Sequence, residues 1–262
     1  MDDSTTLIVL KKTKLGETDL IINGFSEQGF QIRAVAKGAR KPGSKLGVHL
    51  ELYSQTRVLV SKGRSLGIIT EAQTVRSNES CRSDVLHSAG AAAIVELLDK
   101  ISADSVADAR LFALVCEALR SIGDVSDGSV RMITAAALLK IASQSGVRPS
   151  LKECVFCGDT MASQLRGNAQ VAFSCSQGGV ICDCCLSEIV EQGYTQIDPQ
   201  LVEWAEVLIT GRFKDLERHE LLCNGEELCD DLGQILLEWT REWIRFHLVS
   251  RLKSLDFLLS FR

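Results

Sequence analysis

The sequence predicts an α+β multidomain chain: a five-stranded barrel at the N-terminus, then an all-α helical bundle interrupted by a four-cysteine zinc ribbon. Three observations lead there. Residues 1–80 break into short runs of alternating polar and apolar residues separated by turn signals. From residue 81 the apolar positions recur at helical spacing. Between residues 154 and 185, four cysteines stand in two C-x-x-C hooks. The domains this implies are 1–80 for the barrel, 81–150 and 188–262 for the two parts of the helical domain, and 151–187 for the metal-binding insert.

Thr5–Leu10, Leu20–Ile22 and Gln31–Ala36 read as the first three strands. A long alternating run from His49 to Val60 reads as the fourth, and Leu66–Thr70 starts a fifth. Turns fall at Gly16-Glu17, Glu27-Gln28-Gly29 and Lys62-Gly63-Arg64-Ser65. Five short strands in eighty residues, uninterrupted by a strong helical pattern, suggest a Greek-key barrel of the OB type, whose sheet face and loops suit oligonucleotides. Lys37-Gly38-Ala39-Arg40-Lys41-Pro42-Gly43-Ser44-Lys45 places four cations in nine residues with Gly and Pro. Such a loop predicts a mobile basic finger that reaches phosphates without reading bases. Lys11, Lys12 and Lys14 leave the first strand nearby, and Arg33, Arg57, Lys62 and Arg64 can join them. Aromatic residues are sparse here. Phe25 and Phe30 flank a turn and are expected in the core, which leaves Tyr53 as the best stacking candidate. Binding led by the phosphate backbone should accept single and double strands and weaken with salt.

Charge divides the same way. Residues 1–80 hold twelve Lys/Arg against eight Asp/Glu, a net +4, whereas the remainder carries −9, for −5 overall. A basic first domain on an acidic body points to a polyanionic partner for that domain alone.

In the second part, helices are expected at Ser83–Ile101, Val106–Ile122 and Val130–Ser143. The last of these is apolar on nearly all sides and so the most buried. Gly146-Val147-Arg148-Pro149 ends it. Helix resumes at Leu186–Gln192 and Pro199–Leu208, then from Glu227 to Lys253 with Gly233 as a soft spot. There Leu236, Trp239, Trp243 and Phe246 form a core stripe, and Arg241, Arg245, Arg251 and Lys253 a basic strip.

The hooks read Cys154-Val-Phe-Cys157 and Cys182-Asp-Cys184-Cys185, with 24 residues between them. A two-residue spacer lets both sulfurs of a hook face one ion, and four thiolates suit a single structural zinc with no open position for a catalytic water. Cys182 is preferred to Cys175 as the third ligand because it has a partner, Cys185, three residues on. Cys184, between two ligands, should point away from the metal. A strand at Phe173-Ser174, a turn at Gly178-Gly179 and a return strand deliver Cys182, as in a zinc ribbon. With no disulfide framework, the cysteines suggest a reducing cytoplasm. The start Met1-Asp2-Asp3-Ser4 has no basic n-region, and no apolar run approaches the ~20 residues that span a bilayer, so neither secretion nor membrane insertion is expected.

No catalytic constellation appears: the four histidines (His49, His87, His219, His247) are scattered, and there is no Walker loop, H-E-x-x-H or G-x-S-x-G. A non-enzyme is expected. The alternatives are a thiol- or metal-dependent enzyme and a protein scaffold that does not bind DNA.

Specific stretches resemble the bacterial RecO family of recombination mediators. They are Gly16-Glu17-Thr18-Asp19, Ala36-Lys37-Gly38-Ala39-Arg40, Val95-Glu96-Leu97-Leu98 with Leu111-Phe112, Gly146–Leu151 running into Cys154-Val-Phe-Cys157-Gly158, and Gly178-Gly179-Val180. His247-Leu248 and Leu252-Lys253-Ser254 follow near the end. The resemblance spans the chain and departs at Cys175 and Cys184. It implies a protein that binds single- and double-stranded DNA, anneals complementary strands, and joins RecR to load RecA onto DNA coated by single-strand-binding protein (SSB). It also implies that the acidic, apolar C-terminal tail of SSB docks on the helical body; such a tail needs a hydrophobic groove with a cation at its rim, for which the helices carrying Leu97, Leu111 and Arg110 or Arg131 are the candidates.

Overall fold

The structure, a computed structural model, describes residues 3–63, 65–102, 107–188, 193–218, 226–249 and 251–261. It divides into two compact units, Met1–Asp127 with Leu252–Arg262, and Gly128–Arg251.

The first unit begins with strands β1 (Asp3–Leu15), β2 (Asp19–Ser26), β3 (Gln31–Ala36), β4 (Gln55–Ser61) and β5 (Gly67–Arg76). They close into a barrel in the order β1-β2-β3-β5-β4, with β4 returning to β1. All pairings are antiparallel except β3 with β5. This is the five-stranded, OB-like barrel that the alternating runs predict. Alternation decides its interior: Leu7, Val9, Leu20, Ile22, Ala34, Ala36, Val58 and Ile69 all point inward, and Leu50 plugs the core from a loop. Each large side chain so buried contributes about 1.5–3 kcal/mol relative to exposure.

The fourth strand differs from expectation. Residues 49–54 do not extend it: Gly47–His49 form a 3-10 turn, Tyr53 sits at φ +69°, and pairing starts at Gln55. Tyr53 is only 5% exposed and its hydroxyl donates to the Ser88 carbonyl at 3.4 Å, so it is a core residue and not a stacking platform. Phe25 is buried as expected, but Phe30 is 44% exposed at the β2–β3 turn.

Helices α1 (Val85–Ile101) and α2 (Ala109–Asp124) complete this unit with α9 (Lys253–Leu258). Ile8 and Phe25 leave the barrel on its outer side and are buried, where α1 meets β1 and α2 meets β2. Gln31 Nε2 donates to the Asp99 carbonyl at 2.6 Å and to Ser102 Oγ at 3.1 Å. The Glu96 carboxylate caps the start of α9 by accepting the N–H groups of Lys253 and Ser254.

In the second unit, α3 (Asp127–Gln144) is buried on nearly every side, as its sequence predicts. The insert holds α4 (Ala162–Gly167), a sheet of β6 (Val171–Ser174), β7 (Gly179–Ile181) and β8 (Thr195–Ile197), and α5 (Asp183–Glu188). Then come α6 (Pro199–Thr210), α7 (Phe213–Arg218) and α8 (Glu226–His247). Two expectations about the last long helix are corrected. It stops at His247, with a break before α9, so the four-residue basic strip does not lie on one helix. Gly233 is a close-packing point: a Cβ there would lie 3.1 Å from both the Arg131 Cβ and the Met132 amide nitrogen of α3. The stripe also divides, for Trp243 is buried and donates to the Val147 carbonyl at 2.9 Å, while Phe246 is 58% exposed.

The β2–β3 turn supplies a stability test. Gly29 (φ +88°) accepts a hydrogen bond from the Asp108 N–H at 3.0 Å, and a Cβ there would meet Asp108 backbone at 2.1 Å. Gly43 (φ +72°) faces open space. Gly29→Ala should therefore destabilise the protein by about 2–4 kcal/mol, through strain plus displaced backbone, and Gly43→Ala by about 1 kcal/mol, through strain alone. Urea denaturation of the two variants checks the difference.

Candidate metal centre and nucleic-acid interface

The first hook is a tight knuckle. Gly158 (φ +77°) donates to the Cys154 carbonyl at 2.9 Å, and Cys154 donates to the Asp159 carbonyl at 2.9 Å. Val155 N–H bonds to the Val180 carbonyl at 3.0 Å, which fastens the knuckle to β7. The second hook begins where β7 ends, and Leu186 N–H returns to the Cys182 carbonyl at 2.9 Å as α5 starts. The β6–β7 hairpin turns at Gly178 (φ +90°).

These elements bring Cys154, Cys157, Cys182 and Cys185 together, with their sulfurs within 4.8 Å of one another. Cys175 and Cys184 stand outside that group. Four sulfurs held about 2.3 Å from a tetrahedral zinc would lie about 3.8 Å apart. The Cys157 and Cys182 sulfurs are 3.7 Å apart. Backbone N–H groups already point at the sulfurs, from Cys182 to Cys154 Sγ at 3.3 Å and from Cys185 to Cys182 Sγ at 3.4 Å. Burial works against ionising Cys154, but N–H groups of Cys157, Cys182 and Phe156 outweigh it and bring its thiol down to about 6. Cys185 is pushed up instead by its hydrogen bond to Cys182 and by burial. Soft donors, spacing and amide support all fit one closed four-thiolate metal site.

The cations of the barrel strands fall into four settings. Lys11 (β1), Asn23 (β2) and Arg33 (β3) are directly paired across three strands, and both cations are exposed. Arg33 Nε donates to Asn23 Oδ1 at 3.3 Å, which orients the guanidinium along that row. Lys14 lies near the end of β1, close in sequence to the Gly16–Thr18 turn. Lys12 is partly spent, because its Nζ lies 2.9 Å from Glu51 Oε1. Arg57 is exposed on β4 beside Thr6 and Gln73, away from the β2–β3 pair. Arg64 lies outside the described residues.

The basic loop differs from the free finger its composition suggests. Asp19 Oδ1 accepts the Gly38 N–H at 2.8 Å, and Arg40 N–H donates to the Thr18 carbonyl at 2.9 Å. Arg40 Nη1 reaches the carbonyls of Gly16 (3.2 Å) and Glu17 (2.9 Å). Successive turns at Lys41→Gly38 and Ser44→Lys41 fold the remainder. The Gly38 N–H, then the Thr18 hydroxyl, and more weakly Lys37 and Lys41, hold the Asp19 carboxyl below its ordinary value. Lys37, Arg40, Lys41 and Lys45 stay exposed on this fastened loop. Sequence reasoning missed the fastening, though its signal was present: an acidic residue after a Gly turn, beside a cation-rich loop.

Comparison with known proteins decides the family. The family models described as Recombination protein O N terminal and Recombination protein O C terminal match residues 1–78 and 82–256. The chain belongs to the RecO family. Among its RecO relatives, a protein named DNA repair protein RecO from Alkaliphilus metalliredigens (strain QYMF) is 29% identical over 240 residues, covering 92% of this chain and 91% of that one. Proteins of the same name from Desulforamulus reducens (28% over 251 residues, 96% and 91%) and Bifidobacterium longum strain DJO10A (29% over 233 residues, 88% and 92%) are similar.

The groove expected for a protein tail is corrected in this RecO-family chain. Leu97 and Leu111 are buried, and Arg131 is buried and paired with Asp230. Arg110 is exposed but pairs with Asp108 at 3.2 Å. The first three side chains cannot line an open groove. Among the described residues, no helix is long and apolar enough to cross a membrane.

The sulfur cluster yields a prediction by deletion. Cys154→Ala or Cys182→Ala should lose the bound metal and lower the melting temperature of the protein, because metal binding is coupled to folding of the insert. Cys175→Ser and Cys184→Ser should keep about one metal per chain. Elemental analysis of purified variants, with thermal melts before and after chelation, measures both.

Proposed function

We propose that this chain is a DNA-binding recombination mediator without catalytic turnover. The reading rests on membership of a family whose relatives are named for DNA repair, and on one structural observation that carries it. An OB-like barrel presents exposed Lys11 and Arg33 in one cross-strand row, together with a fastened loop bearing Lys37, Arg40, Lys41 and Lys45. Cations held in place by backbone contacts gain affinity from counterion release with little ordering left to do. Because they address phosphates and not base edges, single and double strands are both bound. Screening phosphate repulsion between two strands is what annealing complementary strands requires. Lys14 extends the surface, Arg57 adds a separate contact from β4, and Lys12 contributes less because Glu51 already faces it.

In this reading the four cysteines hold one structural zinc per chain that braces the insert. The protein works in the cytoplasm and associates with the nucleoid when on DNA. It acts with RecR, engages the C-terminal tail of SSB, and through these helps load RecA onto coated single strands.

The test is a salt titration of affinity for a labelled oligonucleotide. The wild type should show a steep linear fall of log K with log salt. Lys37→Glu/Lys41→Glu should weaken binding by tenfold or more at low salt, by losing two contacts and adding two repulsions, and should reduce the slope by about 1.4–1.8 for the two lost phosphate contacts. Labelled strands should remain intact and anneal faster with protein present. Binding unaffected by the double reversal would contradict the reading, and strand cleavage would favour an enzyme.

A further inference from the structure

A second cluster of ligand-type side chains lies in the first unit, at the start of α1. Asp84 is the N-cap of α1, and its Oδ1 accepts the His87 N–H at 2.9 Å. Its other oxygen, Oδ2, lies 3.1 Å from the Ser83 hydroxyl, which also reaches the Ser80 carbonyl at 2.7 Å. His87 is nine-tenths buried, with its Nε2 3.0 Å from the Val125 carbonyl just past α2. A carbonyl only accepts, so Nε2 carries a proton, and Nδ1 is the ring nitrogen left facing the carboxylates.

Two carboxylates converge on that nitrogen: Asp84 Oδ2 at 2.7 Å and Asp127 Oδ1 at 3.6 Å. The Asp84 oxygen is near but off the direction a ring N–H would take, and Nδ1 has no hydrogen-bond partner. Cis ligands of one ion stand in this relation. At metal–ligand distances of about 2.0–2.2 Å they lie roughly 3 Å apart, each off the axis of the other. The three donor atoms lie within 4.8 Å of one another. Among the described residues, no lysine or arginine forms an ion pair with either carboxylate.

We propose that Asp84, His87 and Asp127 form a divalent-cation site, separate from the four-sulfur cluster. One imidazole and two carboxylates suit a borderline ion such as Mn²⁺, Co²⁺ or Zn²⁺ better than the oxygen-only preferences of Mg²⁺ and Ca²⁺. The Nε2–H bond to a backbone carbonyl is the outer contact that fixes a ligating histidine in its tautomer. Both carboxylates are open to solvent, with side chains 41% and 78% exposed, so water fills the remaining positions. The ion ties the first turn of α1 to the residues that follow α2. This inference is independent of the DNA-binding reading.

The test titrates the full-length purified protein with Mn²⁺, which prefers oxygen and nitrogen donors to thiolates, and follows the electron paramagnetic resonance signal of the free ion. One Mn²⁺ per chain should bind saturably. Asp127→Asn, at an exposed position, should weaken binding by about tenfold or more. Asp84→Asn, which keeps a cap oxygen for α1, should do the same, and the double variant should abolish saturable binding. Absence of saturable binding in the wild type, or binding equal in all variants, would overturn the proposal and leave only the His87–Asp84 contact within the protein.

Discussion

The carboxylate of Asp19 is the constraint on which the cationic end of the barrel depends. Four positive side chains in nine residues repel one another, and the segment's one apolar anchor is Ala39, which is buried in the barrel core. Asp19 supplies a polar anchor beside it by accepting the Gly38 N–H while the Thr18 hydroxyl supports it. The Arg40 guanidinium then closes the arrangement from the other side, on the carbonyls of Gly16 and Glu17. Two stretches about twenty residues apart, the β1–β2 turn and the β3–β4 loop, thereby become one structural piece. The backbone that carries these cations is thus ordered in folding, before nucleic acid is met.

The insert solves a different problem by comparable means. A segment of this size cannot bury enough apolar surface to hold itself together. It is stitched to itself by Val155–Val180 and Ser150–Val180 backbone bonds, and the four sulfurs close it. Phe173 of β6 packs against Trp239 and Trp243 of α8, with ring centroids 5.2 and 5.8 Å away. Such aromatic pairs add about 0.5–1.5 kcal/mol each beyond area burial. The sheet of the insert is therefore anchored on the helical part of its unit through rings, and at its tip through sulfur.

Much of this architecture was legible in the sequence, and the exceptions share a cause. Strand alternation and the i, i+3 spacing of the cysteine hooks are local signals, and they announced the barrel, the bundle and the four-thiol cluster. Tyr53 misled because a buried tyrosine at positive φ is decided by the loop that carries it and by the Ser88 carbonyl, neither visible in a strand pattern. Phe246 continued a helical stripe whose register outlasts the neighbouring surface. Strand β8, three residues with little burial, carries no apolar pattern and exists because β6 offers it an edge. The Asp84–His87–Asp127 cluster joins residues forty positions apart, and no short motif encodes it. Local periodicity reads elements well; contacts closed by topology have to be seen.

The most direct measurement is the DNA affinity of Asp19→Ala at low salt. Removal of a negative charge next to Lys37 and Lys41 should by Coulomb attraction alone strengthen binding. If fastening of the loop is what makes the cations effective, affinity should fall several-fold despite the more favourable charge, with the fold of the barrel intact by circular dichroism. An unchanged or higher affinity in a folded variant would contradict the account.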